Sequence, residues 1–112
     1  MSRLAAIREQ RRLARIAKLR EGVAALLSQH CSGEVWLFGS LARGDWDAYS
    51  DVDLLAIAPT KAAAEDLADA LVDAGLGDDV LALSQTRWQQ LKASDHPYWR
   101  AIARDALCLD RP

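Results

Sequence analysis

A chain of 112 residues, 51% hydrophobic and 27% charged, has the size for a single core and the composition of an ordinary soluble globular domain. No apolar run approaches the roughly 20 residues needed to cross a bilayer, and the N-terminus lacks the apolar segment and cleavage site of a secretory signal, so no membrane partner and a cytoplasmic protein are expected. The net charge of -2 conceals an asymmetry: residues 1 to 20 carry Arg3, Arg8, Arg11, Arg12, Arg15, Lys18 and Arg20 against Glu9 alone, and the remainder is acidic.

The first element follows from Leu4, Ile7, Leu13, Ile16, Leu19, Val23, Leu26 and Leu27, which recur every three or four residues and draw an apolar stripe on a helix from about Arg3 to Gln29. Gly22 interrupts it at a cost of about 1 kcal/mol relative to alanine, so a kink or a loose first half is expected. The basic face of this helix can attract nucleic acid, an acidic partner or the acidic body of its own domain. A solvated face is the plain expectation, and a partner protein comes before nucleic acid because the rest of the chain repels phosphate backbones. Cys31-Ser32-Gly33 ends the helix, and Glu34 to Phe38 reads as a short buried strand that places Trp36 in the core.

Gly39-Ser40 then turns the chain into a single helical turn, Leu41 to Arg43, and residues 44–50 form a polar loop. Asp51 to Ala58 reads as a second strand, almost wholly apolar after its acidic start. Pro59 closes it, Thr60 is a fair N-cap for a helix from Lys61 to Ala74, and Gly75 stands where that helix should stop. Asp79 to Leu83 reads as a third strand. Ser84 can cap a short helix over Gln85 to Ala93, Asp95 can cap another with Pro97 in its first turn, and Ala106 to Leu109 can close with a short strand. This order implies one α/β domain in which a small mixed sheet of three or four strands is flanked by helices, led by a long N-terminal helix.

The chemistry concentrates between Gly39 and Asp53. Side chains two apart on a strand share a face, so Asp51 and Asp53 present their carboxylates together. Mg²⁺ takes oxygen ligands and is usually held by one or two protein carboxylates plus substrate phosphate, and two such ions can clamp the attacking and leaving oxygens of an in-line phosphoryl displacement. Glycine at 39 lets the backbone approach a phosphate, Ser40 adds a hydroxyl donor at the start of a helical turn, and Arg43 can neutralise a triphosphate oxygen. A lone Gly-Ser is usually only a capped turn, and a lone Asp-x-Asp only a strand edge. Their combination, followed by Leu54-Leu55-Ala56-Ile57, is what singles out triphosphate and metal. A third carboxylate should come from a neighbouring strand. Asp78 and Asp79 stand at its start on opposite faces, and Asp79 is preferred.

The stretch Gly39-Ser40-Leu41-Ala42-Arg43-Gly44 through Ser50-Asp51-Val52-Asp53-Leu54-Leu55 resembles the signature of the minimal nucleotidyltransferases of the DNA polymerase β-like superfamily, and the resemblance covers roughly residues 20 to 110. It implies a polymerase β palm-like fold and Mg²⁺-dependent transfer of AMP from ATP to a hydroxyl, with release of pyrophosphate. It also implies two metal ions, nucleotide binding at Gly39 and Ser40, and metal binding at Asp51 and Asp53, with Asp79 filling the third acidic position. Many proteins of this kind are antitoxins that modify a tyrosine of an all-helical HEPN toxin, so a HEPN partner is expected. The basic extension over residues 1–20 is not part of that signature. The small size of the domain also suggests an acceptor presented by another protein.

Three further readings compete: a non-catalytic antitoxin of the same fold, an enzyme acting on a small molecule such as an aminoglycoside, and a modifier of nucleic-acid ends. Self-association is compatible with all of them. Trp46 and Tyr49, in the loop, could stack on a base, but a hydrophobic anchor or partner contact is the stronger expectation. Trp88 and Trp99 should pack on amphipathic helices. His30 and His96 have no zinc spacing. Cys31 and Cys108 have no motif spacing and read as buried, reduced thiols.

Overall fold

The computed structural model describes residues 2–29, 33–47 and 49–110. In chain order these form α1 (Arg3–Leu27), β1 (Glu34–Phe38), α2 (Ser40–Arg43), β2 (Asp53–Ala58), α3 (Lys61–Asp73), β3 (Asp79–Ser84), α4 (Gln85–Lys92), α5 (Pro97–Asp105) and β4 (Leu107–Cys108). The sheet runs β3-β2-β1-β4. β1 is antiparallel to both β2 and β4, whereas β2 and β3 are parallel, joined by α3 as the crossover. The expected small mixed sheet is therefore a four-stranded one.

Alternation along the strands sends residues to two cores. Val35, Leu37, Val52, Leu54 and Ala56 meet Ile16, Leu19 and Val23 of α1 and Leu67, Ala68 and Leu71 of α3. Phe38, Leu55 and Ile57 face the other way, onto Trp88 of α4 and Ile102 of α5. Trp36 joins this second, thinner layer, tilted against Trp88 with ring centroids 5.8 Å apart. It is half-buried rather than core, because only two short helices cover that face.

Capping matches the sequence at two of three helices. The Thr60 hydroxyl accepts from the Ala63 amide and the Ser84 hydroxyl from the Arg87 amide. At α5 the expectation fails: His96, not Asp95, is the N-cap, its Nδ1 accepting from the Tyr98 amide at 3.2 Å. Pro97 occupies the first turn, so the cap must be the residue just before it. Gly75 follows α3 with φ +72°, the left-handed conformation that ends a helix.

α1 departs from expectation in two ways. It is continuous through Gly22, because that glycine serves packing: a Cβ there would lie 2.5 Å from Leu76 Cδ2. Its apolar stripe is also divided. Ile16, Leu19 and Val23 are buried, while Leu4 is 79% and Leu13 55% exposed. β2 is shorter than expected and starts at Asp53, leaving Asp51 and Val52 just before it. Cys108 is half-buried with its thiol donating to Asp110 Oδ1 at 3.1 Å. Cys31 and His30 lie outside the described residues, as does Ser32 in the expected helix stop.

Candidate active site

Strand direction gathers the sequence motifs at one end of the sheet. β1 arrives there and β2 and β3 depart from it, with Phe38 opposite Asp53 and Asp53 opposite Asp79. Asp53 and Asp79 are thus side by side across the parallel pair, at a strand spacing of about 4.8 Å. Asp53 is half-buried, and Asp51 and Asp79 are exposed.

Gly39 closes this end. Its φ of +79° favours glycine, and a Cβ built on it would stand 2.3 Å from Asp53 Oδ2. Any side chain at 39 would collide with the carboxylate, so the turn lies directly against Asp53. Gly39 is also the N-cap of α2 without a side-chain cap, which leaves the amide end of that turn open to an anion. Ser40 is its first residue. Arg43, exposed, ends α2 and pairs loosely with Asp45, Nε to Oδ2 3.4 Å.

The charges around Asp53 are unbalanced. Burial raises its carboxyl above the ordinary value of 3.8, and Asp79, Asp51 and Asp78, in that order, push it further up; Arg43 works in the opposite direction. Asp51 therefore acts on Asp53 electrostatically although it precedes the strand. Asp78 has different work. Its Oδ2 accepts from the Val52 amide at 2.7 Å, while its own amide and that of Asp79 donate to the Val52 carbonyl at 2.9 and 3.2 Å. Those bonds hold the start of β2 against the start of β3, and Asp79 is the residue left in register with Asp53.

Among the described residues no three His, Cys, Asp or Glu side chains form a ready-made metal cage. The donor set nevertheless suits a hard divalent cation: every donor is a carboxylate oxygen, and a partly desolvated carboxylate crowded by like charges is relieved by one.

The loop aromatics separate sharply. Trp46 is buried in the main core and Arg15 lies over its ring, 5.7 Å from the centroid, which makes it the hydrophobic anchor. Tyr49 is 95% exposed. Residues that the sequence reading missed are Arg8 and Arg12. Arg12 donates from Nε to the Leu41 carbonyl at 2.8 Å and from Nη2 to the Ala42 carbonyl at 2.7 Å; Arg8 donates to the Trp46 carbonyl. Their charge was visible, but their acceptors are backbone carbonyls, which leave no mark on a sequence.

A family model described as a nucleotidyltransferase domain matches residues 16–99. By structure, the chain is similar to a protein from Sulfolobus solfataricus classed as a nucleotidyltransferase, in a 1.40 Å crystal structure. The TM-score is 0.56 and the identity 21%, and the match covers 96% of this chain and 87% of that one. At that identity the likeness speaks for the fold. Among curated proteins, none matches by sequence.

Proposed function

This chain belongs to the nucleotidyltransferase domain family, and on that premise we propose that it moves AMP from ATP to a hydroxyl group on a separate protein, with Mg²⁺ held by Asp51, Asp53 and Asp79. The observation that carries the reading is the contact of the Gly39 turn with Asp53. It sets an open amide end and a carboxylate pair against each other, so that a triphosphate on one meets cations on the other.

In this scheme the Gly39-Ser40 backbone and the Ser40 hydroxyl hold the triphosphate, and Arg43 offsets its negative charge. The acceptor hydroxyl attacks the α-phosphorus; the new P–O bond forms as the bond to the α,β-bridging oxygen breaks, and pyrophosphate leaves with that electron pair. Asp79, exposed at the rim, takes the hydroxyl proton. When bound, Mg²⁺ supplies charge neutralisation at the phosphates and acidifies the attacking hydroxyl.

The acceptor follows from the resemblance to minimal nucleotidyltransferases: a HEPN-type toxin protein, labelled on a tyrosine, with this chain as its antitoxin. The exposed rim at Asp51 and Asp79 supports an acceptor that arrives from outside. The test is transfer of α-labelled ATP to such a partner. Wild-type protein should label it with Mg²⁺ and not after chelation, and Asp53→Asn should lower the rate by at least about 10²- to 10³-fold, the scale on which loss of a single transition-state-stabilising group is felt. Full transfer by Asp53→Asn overturns the site assignment. Labelling of an aminoglycoside in place of any protein overturns the acceptor.

A further inference from the structure

We infer that Arg12 is a positioning residue for the nucleotide-binding turn, and that the basic half of α1 is a splint which holds residues 39–46 in their working shape; the inference rests on the nucleotidyl-transfer reading above. α2 is a single turn of four residues. So short a helix has almost no stability of its own. Its last carbonyls are left without helical partners, and two of them, Leu41 and Ala42, are taken by one guanidinium. Both bonds are charge-assisted, and the planar fork of arginine makes them together without further loss of freedom. The Arg12 side chain is 13% exposed, so these bonds are shielded from solvent competition.

The rest of the splint is laid out along the same helix. Arg8, one turn earlier, holds the Trp46 carbonyl, and Arg15, a turn later, covers the Trp46 ring. Gly44, at φ +92°, ends α2 within 3.7 Å of Arg12 Nε, measured from where its Cβ would stand. Arg8, Arg12 and Arg15 all precede residue 16, where the family match begins, so this chain stabilises its phosphate turn with residues outside the matched segment. The basic character of the extension thus has an internal use, on its own domain's backbone.

The test uses the full chain with magnesium-ATP as the probe, and reads binding by calorimetry beside amide hydrogen exchange. The Arg43 and Gly44 amides bond to the Gly39 and Ser40 carbonyls and report whether the turn is closed. Arg12→Ala should weaken binding about tenfold or more and speed exchange at those two amides by about a hundredfold, the scale of two lost charge-assisted bonds at about 1.5 kcal/mol each, while amides of β2 keep their protection. Arg12→Lys, which can serve only one carbonyl at a time, should fall between, and it carries the comparison if the alanine variant does not fold. Glu9→Gln removes the exposed ion pair on Arg12 and should change neither readout. Wild-type affinity in both Arg12 variants overturns the inference, as does an equal loss of protection in β2, which would mark a merely structural role. If the wild type itself does not bind magnesium-ATP, the transfer reading fails, and unchanged exchange at Arg43 and Gly44 would then overturn the splint separately.

Discussion

The two faces of the sheet are built to different standards. The face under α1 and α3 is sealed: Val35, Leu37, Leu54 and Ala56 are fully buried. The face under α4 and α5 is sealed only where Trp88 and Ile102 reach Leu55 and Ile57, and toward the start of β2 and β3 it opens onto Asp53, Asp79 and a partly exposed Leu81. One strand supplies both, since Leu54 and Ala56 look into the sealed layer while Asp53 and Leu55 look into the open one. A rigid layer behind and an open one in front is how a small domain can keep a crowd of carboxylates in place.

Substitutions on the two faces should therefore fail in different ways. The largest effect belongs to the sealed face. Leu54→Ala should cost about 3 kcal/mol of stability, through lost burial and a residual cavity, read as a lower midpoint in urea. Transfer activity per folded molecule should survive it; a specific loss of catalysis with the fold intact would break the comparison.

Gly39→Ala lies where the faces meet and comes next. The positive φ and extended ψ at 39, a backbone almost confined to glycine, cost an alanine about 1–3 kcal/mol, and the new methyl must displace the Asp53 carboxylate. Stability should fall by about that amount, and magnesium-dependent transfer should fall far more. An active Gly39→Ala variant would show that the turn and Asp53 need not touch.

The smallest effect sharpens the open face. The folded-state pKa of Asp53 is raised above 3.8, so the folded protein holds this proton at pH values where the unfolded chain has lost it. Stability then declines as pH rises from the unfolded value through the folded one, and the penalty is complete at neutral pH. Without metal, Asp53→Asn should be more stable at pH 7 by about 0.5 kcal/mol, a modest sum because the group is half exposed and a like-charge pair across strands is worth little more. Thermal melts should show that advantage vanishing as pH falls into the ordinary carboxylate range. Added Mg²⁺ should stabilise the wild type and not the variant.

Much of the fold is legible in the sequence. The element order, the mixed sheet, the Thr60 and Ser84 caps and the Gly39 turn all rest on local signals, namely periodicity, capping chemistry and glycine. Strand alternation puts Asp78 and Asp79 on opposite faces, so that at most one can join the site, and in the register it is Asp79 that stands opposite Asp53. What escaped was long-range. The divided stripe of α1 could not be read because Leu4 and Leu13 have the same spacing as Ile16 and Val23; only the reach of the sheet decides which are covered. Gly22 looked like a weakness and is a contact, since its partner Leu76 is 54 positions away. The arginines looked like a solvated face because a guanidinium bound to a backbone carbonyl leaves no matching charge elsewhere in the chain.

That contact at Gly22 has a mechanical side. A helix that touches its neighbour through a bare backbone is seated at that point as on a pivot. Arg12 lies ten residues away, about 15 Å along the axis, so a tilt of about 5° about Gly22 moves its backbone by about 1.3 Å. A displacement of that size is enough to pull both guanidinium bonds beyond hydrogen-bonding range. A methyl added at position 22 would meet the end of the Leu76 side chain, which can turn aside, so it would loosen this seat before it tilted α1.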